Sequence, residues 1–243
     1  MDNNKINIAG TVTAKDLFLG NEGNGQETLQ KTIKGWPEDF IYGLIPFVSE
    51  HTWRDSESID IFRVVGTQHP DYIGMTWIEL LEKGKRMGIN LRLFESNPGY
   101  YKDKGKKQPS MYYQSIDGGD LYVGADGNHR TCIARAFFSI TGQSVVHGVT
   151  IDNYKIDWEM KKAYDGLNNK INRDKLNYYM KVVTKIVSRE DSEGWMRERQ
   201  DVKLYIRDTK KDKEFLLDSR QANEFANSLG KRKGILDKIL NWL

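Results

Sequence analysis

The sequence predicts an α+β protein: a small mixed sheet with flanking helices, followed by a mainly helical C-terminal extension. Three observations lead there. Short stretches that alternate apolar and polar residues fall between stretches with helical spacing. A hairpin pattern at 111–123 runs straight into an amphipathic segment at 128–141. Beyond about Ile156 the apolar residues recur at helical intervals. The division that follows is an N-terminal extension over 1–50, a central domain over 51–156 and a C-terminal region over 157–243.

The elements are expected in this order. Residues 1–35 are polar and Gly-rich, with a loop at Gly20-Asn21-Glu22-Gly23-Asn24-Gly25. No Gly-Lys-Ser/Thr follows it, so it is not a Walker phosphate loop. Phe40 to Val48 is an apolar run that fits a strand or a buried helix. Ile59 to Val65 reads as a strand, ended near Pro70. Thr76 and Glu79 match a capping box for a helix to Met87, with Trp77, Leu80, Leu81 and Met87 on its buried side and Gly88 at its end. Ile89 to Phe94 alternates like a strand. Asn97 to Pro109 reads as a loop exposing Lys102, Lys104, Lys106 and Lys107. Met111–Ser115 and Leu121–Val123 flank Asp117-Gly118-Gly119-Asp120 as a hairpin.

A helix from Asn128 to Thr141 follows, with Ile133, Ala136, Phe137 and Ile140 on one face and Gly142 as its stop. Val145 to Ile151 returns as a strand. Residues 157–188 read as mainly helical, with Leu176, Tyr179, Met180, Val183 and Ile186 on one side. Val202 to Leu217 reads as a hairpin turning at Lys210-Lys211-Asp212. Gln221 to Leu243 closes the chain as one helix or two, interrupted at Gly230.

Composition narrows the class. Hydrophobic residues are 38% of the 243 and charged residues 29%, which is enough apolar material for a core. Six Trp, twelve Tyr and nine Phe argue against disorder. No apolar run reaches the roughly 18 residues of a membrane helix. The N-terminal residues lack a signal-peptide pattern. A single Cys132 excludes an internal disulfide and a multi-Cys zinc site, so a reducing cytoplasm is the simplest expectation. Residues 1–150 carry 16 Lys+Arg against 18 Asp+Glu, and residues 151–243 carry 21 against 16. The basic C-terminal third is therefore where DNA contact is expected.

The chemistry concentrates at Gly124-Ala125-Asp126-Gly127-Asn128-His129-Arg130. A turn from strand into helix exposes unpaired N–H groups at a positive helix end. Gly124 and Gly127 let a ligand approach the backbone. His129 and Arg130 add donors in the first turn, and a guanidinium grips phosphate oxygens in a fork. Together these residues suit phosphate.

The stretch Gly118 to Thr131 resembles the signature of the ParB/sulfiredoxin-like superfamily, in which a Gly-x-His-Arg or Gly-x-Arg-Arg turn joins a hairpin to a helix. The resemblance covers about 90 residues. It implies a nucleotide triphosphate, ATP or another NTP, held by the turn with Mg²⁺. Sulfiredoxins carry a Cys where this chain has Asn128, so their chemistry is not expected. Partition proteins carry a second Arg at the place of His129 and add a helix-turn-helix, which this sequence does not display. Free-serine kinases and DNA-modification proteins with an Asp-Gly-x-His-Arg pattern match better, at Asp126, Gly127, His129 and Arg130.

The implied activity is NTP-dependent phosphoryl transfer or hydrolysis of NTPase, kinase or nuclease type, linked to DNA transactions of a plasmid, phage or defence system. The alternative is a non-catalytic, nucleotide-gated module that binds DNA or protein. The expected ligand contacts are Gly127, Asn128, His129, Arg130 and Thr131, with Thr76 and Lys83 from the preceding helix. Asp126 either caps the helix or holds Mg²⁺, and Asp126, His129 and Glu79 are the catalytic candidates. The base is one of Glu79, Glu95 and Asp120.

Overall fold

A computed structural model describes residues 13–20, 25–37 and 39–229. Two compact units divide the chain. One comprises 1–37, 53–153 and 193–195; the other comprises 38–52, 154–192 and 196–243. The mixed α+β class holds for the described residues.

The first unit begins with the short helices α1 (Ala14–Leu19) and α2 (Gly25–Leu29). Residues 21–24 of the expected Gly-rich loop lie outside the described residues. Strand β1 (Lys34–Gly35) follows, and β2 (Val48–Asp60) enters this unit at 53. The strand expected at 59–65 is broken. The Asp60 carboxylate accepts the Phe62 N–H at 2.9 Å and turns 61–63 into a 3₁₀ segment before β3 (Val64–Thr67).

Helix α3 runs from Trp77 to Lys83 with the expected Thr76–Glu79 capping box, but it stops at Gly84 rather than Gly88. The segment expected as a strand at 89–94 is helical, within α4 (Met87–Ser96). Its buried residues Met87, Leu91 and Phe94 follow helical spacing, while Ile89 and Leu93, which made the sequence look alternating, face out. The expected loop at 97–109 holds a short helix, α5 (Gly99–Lys102). Lys107 in this stretch is not exposed. It is buried, donates to the Asp103 carbonyl at 2.5 Å and sits 5.4 Å from the Tyr100 ring centroid.

Strands β4 (Tyr112–Ile116) and β5 (Leu121–Val123) form the expected antiparallel hairpin. Helix α6 spans Asn128–Thr141 and ends at Gly142, as the pattern predicts; β6 (Val145–Ile156) follows. In the sheet, β1 lies parallel to β3 and β3 parallel to β5. Next come β4, β6 and β2. Helix α6 packs against α1, α2, α3 and α4. Its Ile133, Ala136 and Phe137 are buried with Leu80, Leu81 and Phe94. Phe94 and Phe137 meet edge-to-face at 5.0 Å, and burying such apolar side chains stabilises the unit.

In the second unit the run Phe40–Val48 is neither a strand nor an α-helix. A π-turn at Phe40–Leu44 leads into a 3₁₀ turn at Ile45–Phe47 and then β2. Helix α7 (Trp158–Arg173) is capped by Asp157. The expected helicity of 157–188 fails after Arg173, because 178–192 is strand β7. β7 joins β8 (Trp195–Asp208) through Glu193-Gly194, and β8 also pairs antiparallel with β9 (Lys213–Leu217). The described part of the C-terminal region is thus not mainly helical. The β-branched residues Val182, Val183, Thr184, Ile186 and Val187 favour a strand, and pairing with β8 overrides the accidental helical spacing. The hairpin turn at 210–212 is as expected. Helix α8 (Ser219–Ser228) packs against α7, with Phe225 against Tyr178 and Phe215. The remainder of the expected last helix, including Gly230, lies outside the described residues.

Candidate functional site

The turn between β5 and α6 is shaped by packing on β4. Gly127 is the N-cap of α6 at φ +113°, a conformation that disfavours a side chain, and a Cβ there would lie 3.3 Å from the Met111 Cα. At Gly124 a Cβ would fall 2.4 Å from the Tyr112 ring. Both glycines therefore serve the approach of β4; Gly127 also lines the cavity that His129 faces, as the sequence suggested for it, and Gly124 does not. Two backbone bonds fix the arrangement: Gly124 N–H to Tyr112 O at 2.9 Å and Tyr112 N–H to Asp126 O at 3.1 Å.

Asp126 is not the cap. One carboxylate oxygen accepts the Gly127 N–H at 2.8 Å, and the other takes the Arg130 guanidinium at 2.6 Å. Both oxygens are thus engaged, and the Gly127 N–H is not free for phosphate. The first turn of α6 carries no side-chain cap, so its amides at Asn128 and His129 keep their orphan donors.

His129 and Arg130 do not converge. Arg130 turns away, bonding the Ser110 carbonyl at 2.8 Å besides Asp126. His129 faces a cavity of about 360 Å³ that also collects His69, Tyr72, Lys85, Arg86 and Asp126. Asp71, Ala125, Gly127 and Asn128 complete its wall. The Tyr72 ring meets His129 edge-to-face at 5.5 Å, its hydroxyl is 3.4 Å from Nε2, and His69 stacks on Tyr72 at 4.5 Å. Burial holds the His129 imidazole below its usual pKa, reinforced by the positive charges of Arg130 and Arg86 and by His69. Asn128 is buried, and its Oδ1 has no partner among the described residues.

The other expected residues stand elsewhere. Thr76 and Glu79 bond each other at the far end of α3, where Glu79 also pairs with Lys83 at 3.6 Å; neither lines the cavity. Thr131 is fully buried, 2.8 Å from the Tyr113 hydroxyl, and is not a ligand contact. Glu95 accepts the Ala14 N–H at 2.8 Å, at the start of α1. Asp120 lies 4.0 Å from Lys34. None of the three base candidates therefore reaches the cavity.

Family models, curated proteins and solved structures give no match to this chain. The residues themselves carry the reading. Sequence reasoning missed Lys85 and Arg86, which enter from the turn between α3 and α4, and it missed His69, Asp71 and Tyr72 from the loop after β3. The available signal was Lys83-Gly84-Lys85-Arg86, a basic tetrad at a helix stop. Among the described residues no group of three or more His, Cys, Asp and Glu is placed to hold a metal ion. What remains is a cavity with two exposed cations, two imidazoles, one unpaired carboxylate in Asp71, and a helix N-terminus. That set offers positive charge and N–H donors of the kind that suit an anion.

Proposed function

We propose that this chain is a nucleotide-binding protein of ParB/sulfiredoxin-like type that transfers or hydrolyses phosphate in DNA transactions. The observation that carries the reading is the cavity at the uncapped start of α6, where Lys85, Arg86 and His129 face one space. Lys85 and Arg86 neutralise the polyphosphate. The Asn128 and His129 amides and the His129 ring donate to its oxygens. The Tyr72 and His69 rings wall one side. The nucleotide supplies the phosphoryl group, and Asp71 is placed to orient the attacking hydroxyl or water. Arg130 acts at one remove, by holding the Asp126 charge.

A non-catalytic, nucleotide-gated module is the second reading. The occupied state of Asp126 favours it, because the motif's own carboxylate is already spent on Gly127 and Arg130. Titration of ATP and CTP, with and without Mg²⁺, tests the site. The Lys85→Ala/Arg86→Ala double variant should bind at least about 10-fold more weakly, the loss expected for about 1.4 kcal/mol of charge-assisted bonding. Equal affinity for wild type and double variant, or no binding by either, overturns the assignment. Phosphate release that Asp71→Asn abolishes selects the enzyme. Binding with no release selects the gated module.

A further inference from the structure

On the other side of the Asp126–Arg130 ion pair lies a second cavity, of about 180 Å³. It is framed by the end of α4, the short α5 and the start of α6. Leu93, Phe94, Tyr100 and Pro109 give it an apolar wall, and Asn90 and Asn97 contribute amides. Arg130 is the only charged group in the lining. The Tyr100 hydroxyl donates to the Pro109 carbonyl at 2.7 Å, so the ring is held in place as part of the wall.

The state of Arg130 says what the cavity can take. Both of its bonds, to Ser110 and to Asp126, use the same terminal nitrogen, Nη2. Its Nε is buried with no partner among the described residues. A guanidinium has five N–H donors, so the Nη1 side keeps donors that no protein acceptor uses. A cation that is mostly buried, with spare donors at the edge of an apolar cavity, matches an anion carried on an apolar body. The volume admits a single ring.

We propose that this cavity binds a small aromatic carboxylate, with the ring against Leu93 and Tyr100 and the carboxylate on Arg130. The site is separate from the nucleotide cavity, with which it shares no lining residue and which Lys85 and Arg86 serve from the opposite side of the ion pair. It is also coupled to that cavity. A ligand carboxylate shares the guanidinium with Asp126, loosens its hold on that side chain, and leaves more negative charge beside the phosphate site. Occupancy of one cavity therefore weakens an anion in the other, and the coupling is reciprocal.

Benzoate is the probe, titrated into the full chain without nucleotide and followed by ligand-observed NMR. For a ligand of this size saturation with a Kd on the order of 1 mM is expected. Arg130→Gln should weaken binding at least about 10-fold, and benzyl alcohol, which keeps the ring and lacks the charge, should bind as weakly to wild type. Leu93 is 60% exposed, so Leu93→Trp should fold normally and close the mouth, abolishing binding. No saturable binding, or equal benzoate affinity in wild type, Arg130→Gln and Leu93→Trp, overturns the site. Loss of benzoate binding in Lys85→Ala/Arg86→Ala, with Arg130→Gln unaffected, moves the anion to the other cavity and overturns it as well.

Discussion

Helix α6 carries two arginines that sit in opposite circumstances. Arg130, at its start, is partly exposed and faces a carboxylate. Arg135, in its middle, is 1% exposed and bonds no carboxylate among the described residues. Its guanidinium instead donates to the Ile61 and Val64 carbonyls at 3.0 Å and to the Thr28 carbonyl at 2.9 Å, and lies over Trp77 at 4.8 Å. Burial pulls its pKa down to about 10, still high enough to keep the charge at neutral pH. The middle of the helix thus uses arginine as a strut that ties α2 and the turn before β3 to the core. The start uses it to hold the Asp126 carboxylate at the turn. The lesson is that one residue type on one helix serves as a buried strut or as the charged edge of a cavity according to what surrounds it.

Substitutions can break that contrast. The largest effect is expected for Arg135→Met, which strips partners from three carbonyls in the interior. A loss of about 3–5 kcal/mol in urea denaturation is expected, with nucleotide affinity of the folded fraction unchanged. A loss below about 1 kcal/mol would show that the strut is dispensable. Gly127→Ala places a side chain at φ +113° and should cost about 1–3 kcal/mol and also weaken the ligand, because the N-cap belongs to both regions. Thr131→Val leaves the buried Tyr113 hydroxyl without its partner and should cost about 1–2 kcal/mol with no change in affinity.

The smallest stability effect is expected at the start of the helix. His129→Asn should change stability by less than about 0.5 kcal/mol at pH 7.5, where the imidazole is neutral. Its signature is in pH. The folded imidazole binds its proton more weakly than the unfolded one. His129 therefore contributes fully above about pH 6.5, and that contribution is lost as pH falls below it. Ligand binding runs the other way, since a bound anion favours the protonated ring. ATP affinity should rise from pH 8 to pH 6 in wild type, and the slope should flatten in His129→Asn. Parallel pH slopes in the two proteins would place the ring outside the ligand's field.

Where interactions are local, the sequence was legible. The β4–β5 hairpin, both ends of α6 and the Thr76–Glu79 capping box each rest on residues a few positions apart. The motif at 124–130 was legible as a turn but not as a ligand set. Its glycines answer to Met111 and Tyr112, and its arginine answers to Ser110 and Asp126. Helix α4 and strand β7 were misread because apolar spacing over so few residues fits both periods. Phe94 settled one by packing on Phe137, and pairing with β8 settled the other.

By itself, the sequence determined that a strand delivers the chain through a glycine turn into an amphipathic helix, because dihedral preferences and capping act within one turn of backbone. Only the tertiary structure decided that His129 and Arg130 part company, and that Lys85 and Arg86 join the former. Those choices rest on contacts between residues far apart in the chain, where burial and charge pairing outweigh any local preference.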